Sequence, residues 1–310
     1  MRYGDGMTRA ALLQRLIVLS GKGGVGKTTL ASAIACQLAG SGQRVALVTL
    51  DTRDSRHPIF DIRLDYMPQQ VRPGLWVARV DPISALVDYS RSRLPLGALY
   101  EPVLRSRAVR DFTGALPGFE ELMLLGRLYN FAVELEFDRV VFDAPALGHL
   151  RQLLEVPGAM QRAMPGGPVR HVAERMAGLL FDPARTVVLP VTLPEQMPVS
   201  EALELIACCR DRFGMTLGPV LVNRTHEPPF APEEWRRVHA LARSPLASAP
   251  LQNLVFEAER RMRQHEQQGE ALAPLASANA DAIHLPALDL VDDALIEALA
   301  PALGGLRFFE

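Results

Sequence analysis

The chain has 310 residues, a formal net charge of −2, 48% hydrophobic and 22% charged residues. That supplies one large α/β core or two small ones. It excludes the long apolar run of a membrane span and the general Lys and Arg excess that draws proteins to nucleic acid or anionic lipid, leaving room only for a local basic patch.

The opening segment MRYGDGMTRAALLQR lacks an apolar stretch of signal-peptide length, so export is not expected. Leu16 to Ser20 is a short β-rich apolar run. A glycine-rich loop follows, then Thr28 to Ala39, where Leu30, Ile34 and Leu38 recur at helical spacing. Gly40 and Gly42 end that helix, and Val45 to Leu50 predicts a second strand ending at Asp51. Further buried strands are predicted at Arg139 to Asp143, Thr186 to Thr192 and Gly218 to Asn223. Apolar strands alternating with helices imply a doubly wound, mainly parallel sheet covered on both faces.

Residues 84–136 and 151–185 break this rhythm, being rich in Leu, Met, Ala and Arg at helical spacing. They predict a helical subdomain inserted into a single domain spanning residues 1–310. Pro157, Gly158, Pro165, Gly166, Gly167 and Pro168 punctuate the second stretch as turns. Residues 225–250 read as a surface excursion, Phe256 to Ala271 as a charged helix, and the end of the chain as a last strand and closing helix. No internal repeat is present, which predicts one nucleotide site per chain. Cys36, Cys208 and Cys209 form no CxxC pair and no disulfide framework, which fits a reducing cytoplasm.

Gly21 to Thr28 satisfies the phosphate-loop pattern GxxxxGK[ST] between the required strand and helix. Glycines let successive backbone N–H groups turn inward on phosphates, and the helix N-terminus adds partial positive charge. Gly23, Gly24, Val25, Gly26, Lys27, Thr28 and Thr29 are therefore the expected ATP cradle. Lys27 compensates phosphate charge and the Thr28 hydroxyl ligates magnesium. The competing reading is a glycine-rich turn with a solvated lysine. Hydrolysis also needs an oriented water. Asp51, at a strand's C-terminal end, is the candidate for it, and Asp143 ends RVVFD as the candidate for holding Mg²⁺ through water. Either aspartate could instead cap the next helix.

The string KGGVGKTT from Lys22 to Thr29 resembles the deviant phosphate-loop class, which includes the Min/Par-type and arsenite-pump ATPases. That resemblance implies that Lys22 reaches across a dimer to the partner's phosphates; an exposed lysine beside the loop is the alternative. Leu50-Asp51 with Phe60 is similar to switch I of the arsenite-pump ATPase family, whose members include the tail-anchored-protein-targeting ATPase. Pro117 to Glu121, and Asp143 through Gly148-His149-Leu150-Arg151 to Pro157, resemble the segment before its switch II and switch II itself. Val191-Thr192-Leu193-Pro194-Glu195 with Glu201, and Val222-Asn223-Arg224, match its later motifs. The resemblance runs from about Leu16 to Leu303 and implies a P-loop NTPase fold, ATP hydrolysis with Asp51 as the water-activating group, and adenine reading by Asn223. Pro286 falls where the family closes the base pocket, and a plain turn is the equal alternative. Thr52, Arg53 and Asp54 replace the family's Pro-Ala-His, and switch II lacks its usual threonine.

The expected role is a dimeric ATP switch, a homodimer or a heterodimer with a paralogue, acting on a client or membrane-protein partner, with His149 and Arg151 on the coupling route. Leu122, Met123, Leu124, Leu125, Met160, Met164, Met176, Leu179 and Leu180 have two readings, an adaptable groove for an apolar client or the core of the inserted helices. A metal-oxyanion pump ATPase is an alternative, opposed by the missing cysteine constellation. A Min/Par-type positioning ATPase is another, opposed by the acidic segment LVDDALIEALAPAL. No nucleic-acid partner and no intrinsic membrane span are expected.

Overall fold

The computed structural model describes residues 10–50, 56–93, 101–115, 117–135, 137–242, 248–304 and 306–307. Asp51 and the three residues after it, on which switch I was read, lie outside these.

In chain order the elements begin with β1 (Ala10–Ala11), β2 (Leu16–Ser20), α1 (Lys27–Gly40), β3 (Val45–Thr49), β4 (Gln69–Arg72) and β5 (Leu75–Arg79). Helices α2 (Pro82–Arg93), α3 (Glu101–Leu104), α4 (Arg107–Ala115) and α5 (Phe119–Tyr129) follow, the last widening into a π-helical turn over Asn130–Glu134. Then come β6 (Arg139–Asp143), α6 (Leu147–Ala163), α7 (Pro168–Leu180), β7 (Thr186–Thr192), α8 (Gln196–Ala207) and β8 (Thr216–Leu217). The chain closes with β9 (Val220–Thr225), α9 (Pro232–Ala242), α10 (Ala249–Ser277), β10 (Ala282–Pro286), α11 (Asp292–Leu303) and β11 (Leu306–Arg307).

The main sheet runs β10-β9-β7-β2-β6-β3-β5-β4, with β8 beside β7 and a separate β1-β11 pair. Its pairings are parallel except β4 with β5. The fold is α/β with helices on both faces, and the two-residue period of a strand divides the core accordingly. Leu16, Val18, Val140 and Phe142 enter the cluster shared with α2, α5, α6 and α7. Ile17, Leu19 and Val141 enter the opposite cluster, with α1 and α11.

Three elements depart from the sequence reading. The β4–β5 hairpin was not foreseen, because Gln69, Gln70 and Arg72 give no apolar run and the antiparallel edge strand is only half buried. Helix α6 passes straight through Pro157 rather than turning there. Burial of Leu150, Leu153, Leu154 and Val156, at about 2 kcal/mol per large apolar side chain, outweighs an interior proline penalty of about 3 kcal/mol. The surface excursion holds the exposed helix α9, opened by Pro232 with Glu233 and Glu234 in its positive first turn. Of the residues weighed as a client groove, Leu122, Met123, Leu125, Met176, Leu179 and Leu180 are buried core, whereas Met164 is 41% exposed.

Candidate functional site

The loop between β2 and α1 is built around backbone conformations that side chains resist. Gly24 and Gly26 have φ of 82° and 94°, the left-handed region that glycine enters without strain. Gly21 lies so close to β7 that an added Cβ would stand 2.0 Å from the Val191 carbonyl oxygen. Gly23 and Gly24 face open space, with no atom within 4 Å of such a Cβ. Among the described residues no side chain caps α1, and its first turn carries no acid. Its leading N–H groups are therefore available to an anion, and the arrangement fits a polyphosphate.

Lys27 opens α1 and folds back over the loop, its Nζ donating to the carbonyls of Gly21 at 3.0 Å and Lys22 at 2.9 Å. Burial lowers its pKa, and the charges of Asp143 and Glu201 work against that shift. One residue on, Thr28 Oγ1 donates to Asp143 Oδ2 at 2.6 Å. Asp143 ends β6 opposite Leu19. Burial raises the pKa of its carboxyl, while the Thr28 bond and Lys27 hold it down. Thr29 stands half-buried on the same turn, and Val25 is buried beneath the loop.

The neighbouring strands are locked to this loop. Ser20 Oγ donates to Pro145 O at 2.8 Å, and Ala144 N to Leu19 O at 3.0 Å, so the segment leaving β6 is tied to β2. Asn223, buried at the end of β9, donates from Nδ2 to Val25 O at 2.9 Å and accepts from the Arg224 amide. A Cβ on Gly26 would meet that Nδ2 at 2.3 Å. Pro286 ends β10 opposite Thr225, beyond Asn223 on the same sheet edge. The chain thus brings Lys27, Thr28, Asp143 and Asn223 together at the C-terminal ends of β2, β6 and β9. Asp51 follows the end of β3, but its own position is outside the described residues.

Lys22 is placed differently from Lys27. Its Nζ pairs with Glu201 Oε1 on α8 at 3.0 Å. The sequence singled out both residues but not their pairing. The signal was available in the topology, since β7, which leads into α8, hydrogen-bonds directly to β2. A second feature missed is His57. It is 2% exposed and stacked on Phe60, and its Nδ1 accepts from the amides of Ile59 and Phe60. Its Nε2 is buried without a partner among the described residues. Burial pushes its pKa down to about 4. Arg151, on the expected coupling route, pairs with Glu155 one turn on in α6.

No cluster of three or more His, Cys, Asp or Glu able to hold a metal occurs among the described residues. One hydroxyl and one carboxylate in contact suit magnesium, which keeps several waters and takes substrate phosphate oxygens as ligands.

The sequence profile of anion-transporting ATPases matches residues 14–166, which contain the loop, Thr28 and Asp143. The ATPase BagA of Mycobacterium tuberculosis is 31% identical over 232 residues, 71% of this chain and 68% of that protein. The chain belongs to the anion-transporting ATPase family. An ATPase of Paramecium tetraurelia named ASNA1 homolog 1 is 30% identical over 48% of this chain and 45% of its own. The arsenical pump-driving ATPase of Escherichia coli is 32% identical over 78% of this chain and 46% of its own. Family membership makes this protein a nucleotide-binding ATPase, and its loop geometry fits a phosphate site. Glu201, Asn223 and Pro286 fall beyond the profile match, so their places rest on the structure alone. No helix among the described residues is long and apolar enough to cross a membrane.

Proposed function

We propose that this ATPase is a Mg-ATP-driven dimeric switch that couples hydrolysis to binding of a client or partner protein, and that it works in the cytoplasm. The observation that carries the reading is the separation of its two loop lysines. Lys27 is folded onto the carbonyls of its own loop, whereas Lys22 is bound to Glu201 on another element. Lys27 then serves the phosphates of its own subunit, and Lys22 is the residue that reaches those of a partner.

Within one subunit the amides of Gly23 to Thr29 surround the phosphates, while Thr28, and Asp143 through water, would hold magnesium. When bound, the ion offsets negative charge on the β- and γ-phosphate oxygens. Asp51 orients the attacking water as an acceptor for its proton. Asn223 reads the adenine edge and Pro286 closes the base pocket. Since α6 begins four residues after Asp143 and packs against α5 and α7, a change at the γ-phosphate passes from Asp143 into the helical layer.

Sedimentation velocity with and without Mg-ATP, paired with turnover measurements, tests this on the native protein and on Lys22→Ala. The native chain is expected to associate only with Mg-ATP, as a homodimer or with a paralogue, and the variant to stay monomeric with reduced turnover. Monomers of the purified chain under every condition would remove the homodimeric switch while leaving an ATPase. A second reading, the ATPase subunit of a metal-oxyanion pump, is favoured by the names of the arsenical pump-driving relatives. Stimulation of turnover by arsenite distinguishes it.

A further inference from the structure

Away from the phosphate loop, α2, α5, α7 and the widened turn after α5 line an open cavity of about 690 Å³, within the size range of small-molecule sites. Met123, Val172 and Met176 line it with apolar side chains, and Arg127 and Arg175 bring two guanidinium groups to it, paired with Asp88 and Glu134 respectively.

Arg127 is 7% exposed. Its Cζ packs over the rings of Tyr66 and Phe131, 4.4 and 4.7 Å from their centroids. Nη1 donates to Asp88 Oδ2 at 2.9 Å, and Nε is buried with no hydrogen-bond partner among the described residues. A guanidinium has five N–H donors in one plane. Ring packing fixes that plane, so the remaining donors act along its edge, the geometry that suits a planar carboxylate. Burying a cation is costly unless its donors are met, and a core needs none here, as neighbouring Leu122, Met123 and Leu125 show. Arg175, with its side chain 38% exposed, pairs with Glu134 and covers the Tyr129 ring where the cavity meets solvent.

We propose that this cavity is a binding site for a small amphipathic carboxylate, its head taking edge-on hydrogen bonds from Arg127 and its apolar body lying along Met123, Val172 and Met176. The site uses none of the phosphate-loop residues, so it stands independently of the dimeric switch.

Titration calorimetry on the purified full chain tests this with decanoate, decanol and decyltrimethylammonium, each below its aggregation concentration. Saturable binding of decanoate, roughly tenfold or more tighter than decanol, with no binding of the cation, is the expected result. Equal affinity for all three, or no saturable binding of decanoate, overturns the proposal. Arg127→Gln is expected to bring decanoate down to the level of decanol. Because replacing a buried arginine can unfold the chain, Gly126→Leu gives a second test at the cavity wall, where an added Cβ meets no atom within 4 Å. It should weaken decanoate binding roughly tenfold or more by filling the space, with ATP turnover unchanged. Undiminished decanoate binding by folded Gly126→Leu overturns the site.

Discussion

Lys22 Nζ lies 3.0 Å from Glu201 Oε1, with 33% and 32% of the two side chains exposed. A pair this open to solvent contributes at most about 1 kcal/mol to folding, so its weight falls on where Lys22 is held. Glu201→Gln is expected to leave the melting temperature within a few degrees of native and to strengthen Mg-ATP-dependent association by freeing Lys22. Association unchanged from native in sedimentation velocity would show that Glu201 does not restrain the lysine.

The phosphate loop separates a folding glycine from a binding glycine. Gly21→Ala drives a methyl against the Val191 carbonyl and should cost about 3 kcal/mol of stability by overpacking. Gly23→Ala meets nothing and should fold normally while losing nucleotide affinity, because the methyl projects on the open side of the cradle. Denaturant melts and a fluorescent ATP analogue measure the two effects. Equal destabilisation by both would contradict this division.

Asp143 gives a stability change of unusual sign. Burial holds its folded-state pKa above the ordinary carboxylate value, so its charged form weakens the nucleotide-free fold. Asp143→Asn keeps an oxygen for Thr28 and should melt at or above the native temperature without nucleotide. Loss of the carboxylate's hold on magnesium should cut turnover roughly a hundredfold and abolish the rise in melting temperature with Mg-ATP. A variant stabilised by Mg-ATP as strongly as native protein would argue against Asp143 as a magnesium residue.

His57 predicts the acid behaviour of the fold. Its folded-state pKa of about 4 is below the unfolded value of 6.5, so the unfolded chain takes up the proton first as pH falls. Stability is therefore retained above the unfolded value and declines down to about 4, by roughly 2 kcal/mol between about pH 7 and pH 5. Urea melts across that range should show a shallower slope for His57→Asn. Equal slopes would mean that the imidazole titrates normally in the folded chain.

Asn223 touches the loop through Val25 O, so Asn223→Ala should act on both loop order and base choice. ATP affinity should fall roughly tenfold, and the preference for ATP over GTP should narrow. Competition binding with the two nucleotides measures it, and an unchanged preference would leave Asn223 as a brace for the loop.

The parts legible in the sequence are those whose local signal agrees with their place in the fold. Leu16 to Ser20 and Arg139 to Asp143 are apolar on both faces because both faces are covered, and the glycine spacing at 21–26 has few other uses. Gln69 to Arg72 was invisible because an edge strand needs no apolar alternation, and Pro157 misled because tertiary burial overrode a local breaker. The cavity was unreadable for another reason. Tyr66, Arg127 and Arg175 are far apart along the chain, and only the packing of α2, α5 and α7 makes them neighbours. The site fell between these extremes, with the loop and Asp143 read from motifs and the Lys22–Glu201 contact emerging from strand order.

That order has a mechanical consequence. β2 is clasped by β6 on one side and β7 on the other, both in continuous register. A slip of one residue against either would turn inward-facing Leu16 and Val18 to the wrong side of the slab. The strands of the sheet are thus held against sliding past one another, and a movement driven by the nucleotide is expected in the segments leaving its carboxyl rim.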